Sequence, residues 1–270
     1  MPELRKTAEQ AVALRRRWEE AANTPDPLHR AEVLWPFLSM KDYGPSFLEH
    51  TKSALQKIAP ISGDYFAEHF DDMPHWNRMD LFKDAGAYGG DKLHQKLTNH
   101  IRAQQEFYES SVSTYKLNDH NALARWNTMP DSVKDSYGDI YYGLAGLGSF
   151  QRRDDLPLIR DIARWAVEYG MEQACEAALD AFRTMPDKDN LPVISLIWKK
   201  FPLGSGEGDE IVHHDVIQTL CAHKYVQTVP LLAPFVTNGF AGAEARPRSR
   251  RSLDRTWGRS RSRGWRGTKL

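Results

Sequence analysis

The sequence predicts an all-α protein, an α-solenoid in which antiparallel helix pairs stack into a right-angled or curved array. Three observations predict it. Apolar residues recur every three or four positions through most of the first 240 residues. No segment alternates apolar and polar residues around an Asn-Gly or Asp-Gly turn, as a hairpin would. Three windows in the second half repeat one another without internal gaps.

The elements follow in order. Glu3 to Ala22 is rich in good helix formers, and Leu4, Ala8, Ala11, Leu14 and Trp18 make one apolar stripe. Asn23-Thr24-Pro25-Asp26-Pro27 stops it. A second helix is expected over Leu28 to Leu38 and, after Gly44-Pro45, a third over Ser46 to Ile58. Between residues 60 and 90, Phe66, Phe70, Trp76 and Leu81 suggest short helices, and Asp84 to Gly90 reads as a loop. Asp91 to Glu109 is a long helix with Leu93, Leu97, Ile101 and Phe107 as its apolar members.

The windows Gly143 to Val167, Ala178 to Pro202 and Val216 to Phe240 start 35 and 38 residues apart. Leu144, Leu179 and Ile217 share a column, as do Leu147, Phe182 and Leu220. After a short turn come Leu156-Pro157-Leu158-Ile159, Leu191-Pro192-Val193-Ile194 and Val229-Pro230-Leu231-Leu232. Ile162, Ile197 and Phe235 then coincide. Each unit reads as helix, turn, helix. A proline in the first turn of a helix costs no hydrogen bond, because that N–H has no intrahelical partner. Asp155 and Asn190 stand where a capping side chain is expected. One such pair cannot bury its own apolar faces, so pairs must stack.

This pattern resembles the HEAT-like helical repeat family, whose helical pairs of about 35–45 residues carry a proline near a helix start. The resemblance covers about 140–236 and is looser over 28–110. It implies a helical N-terminal region of degenerate repeats over 1–110 and HEAT-like repeats over 111–240; composition sets off a basic disordered tail over 241–270.

Composition sets the classes that remain. The chain has 270 residues and a formal net charge of zero, but residues 246–270 hold ten Lys/Arg and one acid, Asp254. The remaining 245 residues carry 26 basic and 35 acidic side chains, an acidic body joined to a basic tail. That tail has no apolar period, and its composition is that of a disordered segment or of a stretch read in a shifted frame. Arg248, Arg250, Arg251, Arg259, Arg261 and Arg263 could neutralise phosphates, and Trp257 and Trp265 could stack on bases. No apolar run reaches the roughly 20 residues of a membrane span. The opening residues have no apolar h-region, so no secretory leader is expected. Cys175 and Cys221 are expected as reduced, buried thiols in a cytoplasmic protein.

No motif supports catalysis or a cofactor. Gly143, Gly146 and Gly148 lack the strand that a nucleotide-binding loop follows, and read as close helix packing. Gly204, Gly206 and Gly208 precede no Gly-Lys-Ser/Thr. His94 and His100 are six apart, as are His69 and His75, which is not the i, i+4 spacing of helical zinc ligands. A HEAT-repeat di-iron hydroxylase family uses repeated His-Glu pairs. Here Glu49-His50, Glu68-His69 and His214-Asp215 depart from that order and period, so no metal is expected. A group of DNA glycosylases also has a HEAT-like fold, with aromatic residues and a carboxylate in a basic groove. Trp126, Trp165 and Trp198 would be the aromatics, but the acidic body opposes a duplex.

The reading is therefore a non-catalytic scaffold that binds a protein partner, of the kind in which an inhibitor or immunity protein covers a basic toxin with an acidic face. Exposed aromatics in the weakly repeated half are the expected contacts: Trp76, Tyr88, Tyr108, Tyr115 and Trp126. The alternative is a nucleic-acid-associated protein acting through the tail. No membrane partner is expected.

Overall fold

A computed structural model describes residues 2–39, 45–73, 75–115, 128–201 and 209–237. Among them there is no strand. The chain divides into compact units at Met1–Leu231 and Leu232–Leu270, and of the second only residues 232–237 are described.

The first helix, α1, spans Pro2–Ala22, and α2 spans Pro27–Leu34. Asp26 caps α2, its carboxylate accepting the His29 N–H at 2.7 Å, with Pro27 in the first turn. The expected continuation to Leu38 is a 3-10 turn, Trp35–Ser39. Pro36 lacks the N–H that an α-helix would use there, so the α-helix yields at Leu34. Then come α3 (Pro45–Gln56), α4 (Ile61–Glu68), α5 (His75–Phe82) and α6 (Ala85–Tyr88). The single turn α6 occupies the expected loop. It is closed by Gly89 and Gly90 at φ of 67° and 87°, values that glycine adopts without strain.

Two long helices follow, α7 (Asp91–Tyr115) and α8 (Asp131–Phe150). The expected boundary at residue 110 falls inside α7. Gln104 meets Ser136, His100 meets Asp139, and Leu97 meets Gly146, so the two run antiparallel. Their packing is the most extensive among the described helices. Gly143 of α8 makes it close, since a Cβ there would lie 2.5 Å from Ile101 Cγ1; Gly148 does the same toward α10, where a Cβ would lie 2.9 Å from Ala181 Cβ. The expected role of this glycine run as a packing surface is what the structure has.

The windows of the second half become α9 (Leu156–Glu168), α10 (Glu172–Thr184), α11 (Leu191–Lys200), α12 (Asp209–His223) and α13 (Thr228–Thr237). Pro157 and Pro192 sit in the first turns of α9 and α11. α8 packs on α10 and α10 on α12, while α9 packs on α11. Leu144, Leu179, Leu147 and Phe182 are fully buried, as are Ile159, Ile194 and Ile197. The third window departs from this: Ile217 is half-buried and Val229 is 65% exposed. Val229 opens α13, which takes no part in the extensive packing among the described helices.

The capping expectation at Asp155 and Asn190 fails. Both stand at the N-cap, but neither side chain caps its helix. Each is the last residue of a 3-10 turn whose own hydrogen bonds lead into the helix, and each side chain is buried and used elsewhere. Asp155 accepts from His94 Nε2 at 2.8 Å. Asn190 donates to the Met185 carbonyl at 3.2 Å and accepts from Arg160 at 3.1 Å. Cys175 is buried as expected; Cys221 is exposed, contrary to expectation.

Candidate functional site

The densest polar arrangement is built on Asp139 of α8. Val133, Ser136, Ile140, Gly143 and Leu147 form the buried stripe of that helix, and Asp139 falls on the same stripe. It is only 2% exposed, so its charge must be met by neighbours. Three basic side chains from two other helices converge on it. His100 of α7 donates from Nε2 to Oδ2 at 2.9 Å, and Arg78 of α5 from Nη2 to Oδ2 at 3.2 Å. His75 of α5 brings Nε2 within 3.0 Å of Oδ1, although that N–H is better directed at the Asp135 carbonyl at 3.2 Å. The Nδ1 of His75 faces Asp135 Oδ1 at 3.3 Å.

Burial alone would raise the Asp139 pKa. The hydrogen bond from His100, the close approach of His75 and the charge of Arg78 outweigh it and hold the carboxyl at about 2. Burial likewise works against a charged His75, and the carboxylates of Asp139 and Asp135 overcome it, so its pKa lies above the ordinary histidine value. Phe70 organises the group: its buried ring lies 5.4 Å beneath the Arg78 guanidinium and 4.9 Å from the His100 ring.

An open cleft of about 290 Å³ lies against this cluster. Gln104, Phe107, Ser132 and Asp135 stand around it with His75, Arg78 and Asp139. A second cleft of about 440 Å³ lies between Pro157 and Pro192, where Arg160 is already engaged with Asn190 and Arg164 with Asp161.

A different electrostatic arrangement lies between α10 and α12. Burial, followed by the charges of Asp215, Glu172 and Asp180, pushes the Glu176 carboxyl up to about 8. Burial and Asp180 raise Asp215 to about 6, against the opposing pull of Arg183. Arg183 bonds Asp180 and reaches Gln218 at 2.6 Å. These carboxylates repel one another in a half-dry setting, and Arg183 also stands 3.9 Å from Asp215.

The expected contact residues fare unevenly. Tyr88 and Tyr108 are 2% and 1% exposed, so the expectation of exposed aromatics fails for both. Tyr108 lies seven positions beyond Ile101 on the core stripe of α7, and packs edge-on against Trp165 at 5.7 Å. Tyr88 ends α6 and packs against Phe66. The side chains of Trp76, Tyr115 and Trp126 lie outside the described residues, as do the Gly204–Gly208 cluster and the whole basic tail, Arg248 to Trp265. Trp165 is 7% exposed and serves packing; Trp198 is half-buried beside the His213 ring at 4.4 Å. Of the tryptophans of the groove reading, Trp165 contacts Tyr108 and Tyr169, whereas Trp198 contacts His213.

The histidine spacings acquire a different meaning. His75 and His100 share Asp139, while His94 holds Asp155. Among the described residues no group of three or more His, Cys, Asp or Glu is placed to hold a metal ion. None of the described helices is long and apolar enough to cross a membrane.

No family model matches this chain. Neither the curated proteins nor the solved structures compared with it include a match. Its functional reading therefore rests on its own geometry.

Proposed function

We propose that this chain is a non-catalytic interaction protein that seats a protein partner on serially stacked HEAT-like helical pairs and turns an acidic face to a basic partner. The observation that carries the reading is the packing of α8 on α10 and α10 on α12, beside that of α9 on α11. Serial contact of this kind is what a stack of helical pairs requires, and stacks of this kind offer extended surfaces for binding.

The carboxylates between α10 and α12 supply the partner's chemistry. Glu176 and Asp215 hold raised pKa values, first through burial and then through repulsion from neighbouring carboxylates, Asp180 among them for both; Arg183 opposes the rise at Asp215. A lysine or arginine brought in by a partner would relieve that repulsion and gain a charge-assisted hydrogen bond in a partly desolvated setting. The acidic balance of residues 1–245 adds long-range attraction for such a partner.

A photo-crosslinking residue at Asp180, expressed in the native host, tests the proposal. One basic protein should be captured, and an Asp180→Lys, Asp215→Lys chain should fail to compete for it. The complex should dissociate between about 0.05 and 0.5 M salt, as exposed charges are screened. Equal competition by the charge-reversed chain would reject the acidic face as the binding surface.

A further inference from the structure

We propose that the cleft between α5, α7 and α8 binds a neutral carboxamide group, carried either by a planar ring or by an amide side chain. The walls select for this chemistry. A bare anion entering the cleft meets the Asp135 carboxylate, whose side chain is 43% exposed, and a bare cation meets Arg78 and His75. Either ion faces a like charge across a few ångströms, in surroundings less polar than water. A neutral group with an N–H and a C=O on one edge meets neither penalty, and matches a wall that offers both donors and acceptors.

Two polar atoms in that wall are short of partners. Nε of Arg78 and Oδ1 of Asp139 are both buried without a well-directed hydrogen bond. Oδ1 has His75 beside it at 3.0 Å, but the His75 N–H is better aimed at the Asp135 carbonyl. One atom is a donor and the other an acceptor, on side chains already joined through Arg78 Nη2 and Asp139 Oδ2. Buried polar atoms are nearly always satisfied, so a pair left short beside one cleft marks a place where a ligand, or water standing in for it, completes the set. Reaching them requires a small shift of His75, whose ring is itself the cover over Oδ1.

The rim supplies the rest of the fit. Phe107 is 42% exposed at the edge of the cleft, an apolar ring with open surface to stack on a planar group. Gln104 uses its main-chain carbonyl for Ser136 and also lines the cleft. The volume of about 290 Å³ lies at the lower end of small-molecule pockets, which run from about 300 Å³, so the occupant is no larger than one ring or one side chain.

Three probes of the same shape separate the charges: benzamide, benzoate and benzamidinium, each followed through the aromatic NMR signals of His75 and Phe107. Benzamide should shift both residues, with affinity at least ~10-fold above the two ions. Glutamine and glutamate, each acetylated and amidated at its main-chain ends, form a second arm. A response to benzamide alone assigns the site to a ring-borne amide; a response to the glutamine derivative over its acid assigns it to a partner's side chain. Phe107→Ala, which removes an exposed ring and should leave circular dichroism unchanged, should abolish the benzamide response at His75. Asp135→Asn should strengthen benzoate relative to benzamide by ~3-fold or more. Equal binding of all three ring probes, preference for either ion, or no response from any probe would overturn the proposal, as would an unchanged response in Phe107→Ala.

Discussion

Gly143 of α8 faces Ile101 of α7 with no room for a methyl group: a Cβ at 143 would stand 2.5 Å from Ile101 Cγ1. One turn further on, a Cβ at Gly146 would stand 2.5 Å from the Phe82 carbonyl oxygen and 2.8 Å from Leu97 Cδ2. The neighbours differ in kind. Ile101 can turn its side chain, but a backbone carbonyl cannot retreat without moving α5. Alanine gains about 1 kcal/mol over glycine in a helix interior, while overpacking costs about 1–3 kcal/mol. Gly143→Ala should therefore come out near neutral, and Gly146→Ala should lose about 1–2 kcal/mol in urea unfolding. The reverse order would mean that α5 yields more easily than the Ile101 side chain.

The repeat columns predict a contrast between the first two windows and the third. Leu179 is fully buried between α8 and α12, and Leu179→Ala should cost about 2–5 kcal/mol. Val229 occupies the same kind of column as Leu156 and Leu191, yet it is 65% exposed. Val229→Ala should change stability by less than about 0.5 kcal/mol. Thermal or urea melts of the two variants check both values, and a Val229 effect as large as that of Leu179 would contradict the placement of α13.

The Asp139 cluster predicts an acid limb. The carboxyl sits at about 2 in the folded chain against an ordinary value of 3.8. A depressed acid stabilises the fold above its unfolded pKa, and that stability is lost as pH falls through 3.8 toward about 2. The gap corresponds to about 2–3 kcal/mol at neutral pH. His75 is raised, so its contribution is present below 6.5 and lost as pH rises through its folded value. Asp139→Asn should cost about 3–5 kcal/mol at pH 6, because Arg78 and His100 lose the charge they surround. The same variant should flatten the decline between pH 4 and 2. An acid limb identical to that of the unaltered chain would show that other carboxylates produce it.

These sites were not equally legible in the amino-acid order. The packing glycines and the columns at Leu144 and Leu179 could be read because apolar periodicity is a local property of one helix. The Asp139 cluster draws on His100, 39 positions away, and Arg78, 61 positions away. Spacing along α7 shows which face His94 and His100 occupy, but not that each meets its own aspartate. A signal was nevertheless present: Asp139 lies on the stripe of Val133, Ile140 and Gly143, where a carboxylate must find partners. Tyr108 carried a similar signal on the stripe of Leu97 and Ile101. Asp155 and Asn190 misled in the opposite direction. Their position before an apolar run fits a cap, whereas their side chains reach across to His94 and Arg160.

Glu176 ties stability to the proposed binding face. Its carboxyl is pushed up to about 8 from 4.5, chiefly by burial and then by Asp215, Glu172 and Asp180. For a raised acid the sign is reversed. Below 4.5 both folded and unfolded chains hold the proton; above it the unfolded chain releases the proton first, so stability falls as pH rises toward 8. Glu176→Gln keeps the shape of the protonated form. It should be near neutral at pH 4 and should stabilise the chain by about 1–3 kcal/mol at pH 8. A gain of the same size at both pH values would assign the effect to packing instead of charge. The same substitution should weaken capture of a basic partner, since Gln cannot ionise, whereas a lysine or arginine brought beside Glu176 would draw its carboxyl into the charged form. Stability rising while binding falls is the trade expected of a residue kept for function. If both rise together, the crowded carboxylates have no part in binding.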